Sequence, residues 1–298
     1  MDTFINTPAI SKSHFPWRAY VDLCKPRVVI LMLLTVLVGM LLATSNSAPL
    51  HILIFGTLGI GLVASAGAAI NHLVDRHLDA IMLRTSYRPL PTGRVSIKNA
   101  TIFAGALAFS GTIILIVFTN ILTAILTFIS MIGYAGIYTL YLKRTTPQNI
   151  VIGGAAGAAP PLLGWTAITG HIDPPALLLM LIIFVWTPPH FWALAIERQK
   201  EYAKANIPML PVIYGVPFTK LNILLYTILL TAVTILPYAI SMCGLLYLIG
   251  AMILDAFFLY FAIKLFYSEG TRVAKQTFRF SIYYLMFLFI ALLVDHYI

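Results

Sequence analysis

Nine apolar runs, each near the roughly 17–25 residues a helix needs to cross a bilayer, dominate this sequence. They fall at about 28–44, 51–70, 100–118, 121–142, 150–168, 176–195, 220–241, 243–265 and 278–296. Few folds are open to such a chain. In hydrocarbon every backbone N–H and C=O must be bonded internally, so runs of this length become helices that pack against one another. With 60% hydrophobic and 10% charged residues, no soluble domain of 298 residues can bury the apolar surface. The expected fold class is therefore an all-α membrane protein, a nine-transmembrane-helix bundle. One domain is expected over 1–298, with residues 1–20 as a polar N-terminal segment.

The charges orient the bundle. All 19 Lys and Arg residues fall in the N-terminal segment or in alternate connections between spans. The N-terminal segment holds Lys12, Arg18, Lys25 and Arg27, and the connection after the second span holds Arg76, Arg84, Arg88, Arg94 and Lys98. Lys143 and Arg144 follow the fourth span, Arg198, Lys200, Lys204 and Lys220 the sixth, and Lys264, Arg272, Lys275 and Arg279 the eighth. By the positive-inside rule the N-terminus and these connections are cytoplasmic, and the C-terminus is periplasmic. The net charge of +9 is then a matter of topology, and no nucleic-acid partner is expected. Residues 1–27 lack the apolar core and cleavage site of a signal peptide, so the first span is the insertion signal. Cys24 and Cys243 are assigned to opposite faces, which rules out a disulfide between them and a cysteine metal site.

Two of the basic connections, at about 71–99 and 196–219, are long and polar, and long ordered connections usually carry function. In the first, Asn71, Asp75 and Asp79 are spaced i, i+4, i+8, which on a helix forms one stripe. An amide and two carboxylates are hard oxygen ligands. Mg²⁺ prefers such ligands, takes one or two carboxylates, and completes its shell with water and phosphate oxygens. Arg84, Arg88 and Arg94 follow, and guanidinium groups hold phosphate oxygens bidentately. A charged helix end wetted at the interface accounts for any one of these residues, but the whole array describes a diphosphate site. His72 and His77 lie on the same helix and read as interfacial.

At these residues the sequence resembles the UbiA-type intramembrane prenyltransferases, which have nine transmembrane helices and two aspartate-rich motifs. The resemblance extends from about 20 to 296. The stretches Arg84–Arg94, Trp186–Ala195 and Asn206–Val212 are similar to the haem-farnesylating branch of that superfamily. The resemblance implies the UbiA-type bundle in the cytoplasmic (inner) membrane, with its active site on the cytoplasmic side. It implies that farnesyl diphosphate ionises with Mg²⁺ and basic residues stabilising the diphosphate. A vinyl group of haem B captures the farnesyl cation, and water completes haem O for haem-copper oxidases. Membrane lipid and a downstream haem A synthase are the other partners implied.

The second motif departs from the family. Glu197 and Glu201 stand where aspartates are usual, mixed with Arg198, Lys200 and Lys204. Both glutamates are expected on one helical face as metal ligands, with Glu201 also catalytic and Arg198 and Lys204 gripping diphosphate. The family places a lysine like Lys25 near the diphosphate. Lys143, Arg144 and Asn149 are placed to reach the same cavity. His190 follows Pro188 and Pro189, which are expected to kink the sixth span, and is itself expected to ligate the haem iron or orient a propionate. Trp186, Phe191 and Trp192 are candidates for the haem or farnesyl pocket. Asp255 lies at the middle of the eighth span, where a carboxyl is costly unless bonded across helices. Two other readings compete: a prenyltransferase acting on a quinone precursor, and a transporter using Asp255 and the sixth helix. The crowding of polar residues at one face argues against the transporter.

Overall fold

In a computed structural model, which describes residues 16–44 and 47–298, the chain is a bundle of helices with no strand among those residues. Lys12 lies outside the described residues. A short α1 (Trp17–Leu23) meets α2 (Pro26–Leu42) at 53°. There follow α3 (Leu50–Ile81), α4 (Ile97–Phe118) and α5 (Ile121–Ile132). From α5 the chain passes through a π-helical stretch (Gly133–Leu142) into α6 (Lys143–Thr145). Next are α7 (Asn149–Ala158), α8 (Pro160–Thr169), α9 (Pro174–Glu197), α10 (Gln199–Lys204) and α11 (Leu210–Ile213). The chain closes with α12 (Gly215–Ala239), α13 (Leu245–Tyr267) and α14 (Arg272–Tyr297). Among the described residues eight stretches are long and apolar enough to cross a membrane, and nine when the bent pair α1–α2 is counted as one span.

The spans match the apolar runs, with three informative differences. The second runs to Ile81 rather than stopping near residue 70, so its 32 residues reach about 48 Å against a hydrocarbon layer of about 30 Å. Asn71, Asp75 and Asp79 therefore sit on the last turns of a rigid helix rather than in a loop. The fourth span contains ten residues of π-helix, a form that occurs mostly as short bulges near functional sites. The fifth is two helices end to end, because Pro160 and Pro161 remove two backbone donors at the junction. Pro188 and Pro189, by contrast, lie inside a continuous α9, where the Thr187 hydroxyl bonds the Ile183 carbonyl at 2.7 Å.

Packing fixes which helix ends lie together. At one end, here the motif end, Lys143 on α6 pairs with Asp75 on α3, and Lys275 on α14 pairs with Glu197 on α9. At the far end Asn120 bonds the Thr166 carbonyl, and Asp295 accepts from the Tyr247 amide at 3.0 Å. Small residues bring backbones into contact, as is usual where lipid supplies no hydrophobic drive between helices. A Cβ on Gly39 of α2 would strike the Pro161 carbonyl of α8, and one on Gly164 would strike the Val36 carbonyl. Inside the bundle Asp255 is 1% exposed and bonded across helices, accepting from Tyr284 at 2.6 Å and Thr234 at 2.7 Å. Asp255 thus ties α12, α13 and α14 together. Cys24 and Cys243 are both free thiols, and burial followed by the nearby Asp295 pushes Cys243 up to about 12.

The α2–α8 contact yields a stability prediction. Gly164→Ala forces a methyl into a backbone carbonyl and is expected to cost about 1–3 kcal/mol. Thermal unfolding in detergent should show a lower midpoint than wild type, whereas Gly157→Ala, where a Cβ meets nothing within 4 Å, should leave it in place.

Candidate functional site

The last three turns of α3 present Asn71, His72, Asp75 and Asp79 on its buried face, all at most 4% exposed. Asp75 is held from three sides. The Lys143 ammonium lies 2.5 Å from Oδ2, the Arg144 guanidinium lies 3.8 Å from Oδ1, and the Asn71 amide donates to Oδ2 at 3.0 Å. Asp79 receives the Arg88 guanidinium on both oxygens, at 2.8 and 2.7 Å. The Asn71 carbonyl oxygen accepts from Lys25. Lys25 caps α2 in the left-handed region at φ 49, ahead of Pro26, a strained backbone position for a non-glycine residue. Four cations from three segments thus converge on one helix end.

The π-helical stretch is what orients Asn71. Thr139 accepts a second Asn71 amide hydrogen bond at 3.1 Å while its own hydroxyl donates to the Tyr134 carbonyl five residues earlier. That pair fixes the amide with its oxygen toward Lys25. Gly153 of α7 lets Tyr138 seat here, since a Cβ would overlap the Tyr138 ring. Neither Thr139 nor the π-helix stood out in the sequence. A threonine in an apolar run looks like any other small residue, and the π register has no periodic signature.

The remaining candidates are distributed unevenly. Arg84 lies beside the second polar segment, where desolvation by the surrounding protein and then the Arg198 charge lower its pKa. That shift makes Arg84, Arg198, Glu201 and Tyr202 electrostatic neighbours and links the two polar segments. Glu197 and Glu201 do not share a helical face, because α9 ends at Arg198 (φ −110, ψ 20) and α10 begins after it. Glu197 pairs with Lys275 at 3.2 Å, a partner on α14 that the sequence did not suggest. Lys204 is exposed. Arg94 turns outward, donating to the Tyr87 carbonyl at 2.6 Å and lying 3.7 Å from Asp22 of α1, so it braces the turn after α3. His77 is exposed, but His72 is buried rather than interfacial, because it lies on the same face as Asp75.

His190 is buried in α9. Its Nδ1 lies 2.7 Å from the Ser281 hydroxyl, and its ring stacks on Trp186 with centroids 4.2 Å apart. Trp186 in turn donates to the Ser281 carbonyl at 2.9 Å, so both side chains are fastened to α14. Phe191 is exposed and packs edge-on to His190, while Trp192 is 1% exposed and edge-on to Tyr226.

Buried polar atoms are normally hydrogen-bonded, so those that are not mark places where a ligand, ion or water belongs. Among the described residues, the buried side-chain N and O atoms without a hydrogen-bond partner belong to His72, Asp75, Asn149, Trp192 and Glu201. All five residues lie toward the motif end. No group of three or more His, Cys, Asp or Glu among the described residues is arranged to hold a metal alone. The oxygens present nevertheless fit Mg²⁺ shared with a phosphate. Asp75 Oδ1 and Glu201 Oε2 are unbonded, and Mg²⁺ needs only one or two carboxylates when phosphate and water fill its shell. Asn71, Asp75 and Asp79, with Glu201, are the residues that can supply those ligands.

Comparison with known proteins places this arrangement. Residues 32–292 match the UbiA prenyltransferase family. The chain is 64% identical over 281 residues to a protoheme IX farnesyltransferase of Legionella pneumophila (strain Paris), covering 94% of this chain and 96% of that one. It is 60% identical over 292 residues to a protoheme IX farnesyltransferase of Teredinibacter turnerae, covering 98% and 94%. Among solved structures, digeranylgeranylglyceryl phosphate synthase superposes with a TM-score of 0.80 at 21% identity, over 94% of this chain and 98% of that one. A UbiA homologue from Archaeoglobus fulgidus, bound to DMAPP and Mg²⁺, superposes at 0.62 with 16% identity, over 92% and 98%. Both likenesses are of fold.

The Asp75–Lys143 pair is testable by a double-mutant cycle. Asp75→Asn and Lys143→Met should each lower the unfolding midpoint, since each leaves its partner buried without its counter-charge. The double variant should be less destabilised than the two effects summed, with a coupling of about 1 kcal/mol or more. Additive effects would show that the two charges do not interact.

Proposed function

The chain belongs to the UbiA prenyltransferase family, and from that premise we propose that it transfers the farnesyl group of farnesyl diphosphate to a vinyl group of haem B. With water the products are haem O and diphosphate. The observation that carries this reading is the 64% identity, across nearly the whole of both chains, to a protoheme IX farnesyltransferase. A second reading as a quinone-precursor prenyltransferase has no comparable support.

The chemistry asks for little covalent work and much electrostatic work. The C1–O bond of the allylic diphosphate breaks, and its electron pair leaves with the diphosphate. Cations already fixed beside the leaving oxygen lower that barrier because they need no rearrangement as charge develops. Lys25, Arg88, Lys143 and Arg144 are so fixed, each held by the carboxylate or amide of the first motif. Asn71, Asp75 and Asp79, with Glu201, would hold a Mg²⁺ ion, which would supply further charge neutralisation to the diphosphate. Arg84, Arg198 and Lys204 extend the positive field from the second segment. The C15 chain and the porphyrin are apolar and pass between the helices, where exclusion of bulk water protects the cation from premature quenching. His190 has Nδ1 committed to Ser281, which leaves Nε2 as the nitrogen that can meet a haem iron or propionate. The positive-inside bias supports the reading that the motif end faces the cytoplasmic side of the inner membrane.

The test is haem extraction and mass spectrometry after incubating membranes with haem B, farnesyl diphosphate and Mg²⁺. Wild type should form haem O. Asp75→Ala should lose about a hundredfold or more in rate, the scale expected for removing one charge-organising group. Chelation of Mg²⁺ should abolish the product. Folded wild type that forms no haem O would contradict the reading.

A further inference from the structure

The stripe of Asn71, Asp75 and Asp79 takes up one side of α3. At about 100° per residue, Leu73, Val74, Arg76 and His77 fall on the opposite side of the same helix. That side is open. A crevice of about 410 Å³ lies there, where the end of α3, the start of α4 and the end of the fourth span meet. Its walls include Arg76 and His77 of α3, Ile97 and Thr101 of α4, Leu140 of the π-helical stretch and Arg144 of α6. Two guanidinium groups thus line one space, and among the described residues no carboxylate lines it. Both are anchored without being used up. Arg76 Nη1 donates to the Leu73 carbonyl at 2.8 Å, and Arg76 has no ion-pair partner among the described residues. Arg144 Nη2 donates to the Val74 carbonyl at 3.2 Å and lies 3.8 Å from Asp75 Oδ1. A guanidinium carries five N–H donors, so each keeps several for a ligand. Beside them Ile97 and Leu140 are 53% and 58% exposed, so cationic and apolar surface adjoin in the same crevice.

We propose that this crevice binds the headgroup of an anionic phospholipid, with Arg76 and Arg144 on its phosphate and the acyl chains against Ile97 and Leu140. The forked guanidinium matches phosphate oxygens, and its fixing to backbone carbonyls lowers the entropy lost on binding. Basic crevices between spans, at the membrane face that carries the positive charges, are where anionic headgroups are held. The apolar wall favours a lipid over a free anion, because a free anion leaves Ile97 and Leu140 uncovered. The crevice lies across α3 from the diphosphate site, so the proposal stands apart from the farnesylation reading. Arg144 alone serves both sides of the helix, facing the crevice while it lies against Asp75.

The test is lipid binding to the full-length protein in neutral detergent, read by native mass spectrometry. Phosphatidylglycerol should bind about tenfold more tightly than phosphatidylcholine, the scale expected for two arginines near an anionic headgroup. Arg76→Gln should lose about tenfold in phosphatidylglycerol affinity, the effect of one charge-assisted hydrogen bond. Thr101→Trp should lose as much, because it fills the crevice and leaves every charge in place. Arg272→Gln, the same change of charge at the start of α14 and outside the crevice, should bind as wild type does. Unfolding midpoints without added lipid, expected to match wild type, separate lost binding from lost fold. Equal binding of the two lipids, equal losses in Arg76→Gln and Arg272→Gln, or full binding by Thr101→Trp would overturn the proposal. Displacement of the lipid by millimolar inorganic phosphate would overturn it too, since the crevice would then be a site for the free anion.

Discussion

Asp75 is 1% exposed at the end of a membrane-crossing helix, with an ammonium 2.5 Å from one oxygen and a guanidinium 3.8 Å from the other. A lone carboxylate so buried would be costly, and one paired only with Lys143 would gain little over an apolar pair. What the arrangement supplies is position. Asp75, with Asn71, draws together the start of α2 through Lys25, the end of α3, and the π-helical fourth span through Thr139 and Lys143. Asp79 draws in the turn after α3 through Arg88. Remove that stripe of side chains and the cations at the motif end have nothing to hold them at fixed distance.

The rest of the bundle supports this stripe. α3 is long enough to carry the motif beyond the hydrocarbon without a break, so its side chains keep helical spacing instead of loop freedom. Its lower half packs through glycines, Gly59 facing Gly111 of α4 closely enough that a Cβ would press on backbone. At the opposite side of the bundle Asp255, Tyr284 and Thr234 fasten the last three spans, and His190 and Trp186 fasten α9 to α14. Polar groups inside lipid are expensive, and Asp255, His190 and Trp186 each have a partner on another helix.

Much of this was legible in the sequence, and the reasons for success and failure are physical. Span number and order follow from hydropathy, because lipid leaves the backbone no alternative to helix. The Asn71, Asp75, Asp79 stripe was legible because helical periodicity governs residues four apart. Glu197 and Glu201 have the same spacing and failed, since the chain changes direction at Arg198 and spacing carries over only within one helix. Arg94 looked like Arg88, but only the fold shows that Arg88 turns in to Asp79 and Arg94 out to Asp22. Thr139, Lys275 and Ser281 come from spans remote in sequence, and no local pattern marks them. Asn149 was legible as a polar residue starting a span and able to reach the diphosphate cavity. Its burial without a partner is a property of the packed structure.

The central claim is that the motif end of α3 holds diphosphate and a divalent ion together, between carboxylates below and Lys25, Arg88 and Lys143 around them. The most direct measurement is an experimental structure with a non-ionising farnesyl diphosphate analogue and Mn²⁺ in place of Mg²⁺, the metal located by anomalous scattering. The account predicts a Mn²⁺ peak bonded to Asp75 and to diphosphate oxygens, with Lys25 and Lys143 within hydrogen-bonding reach of the same diphosphate. A diphosphate bound elsewhere, or a metal peak that does not touch the first motif, would contradict it.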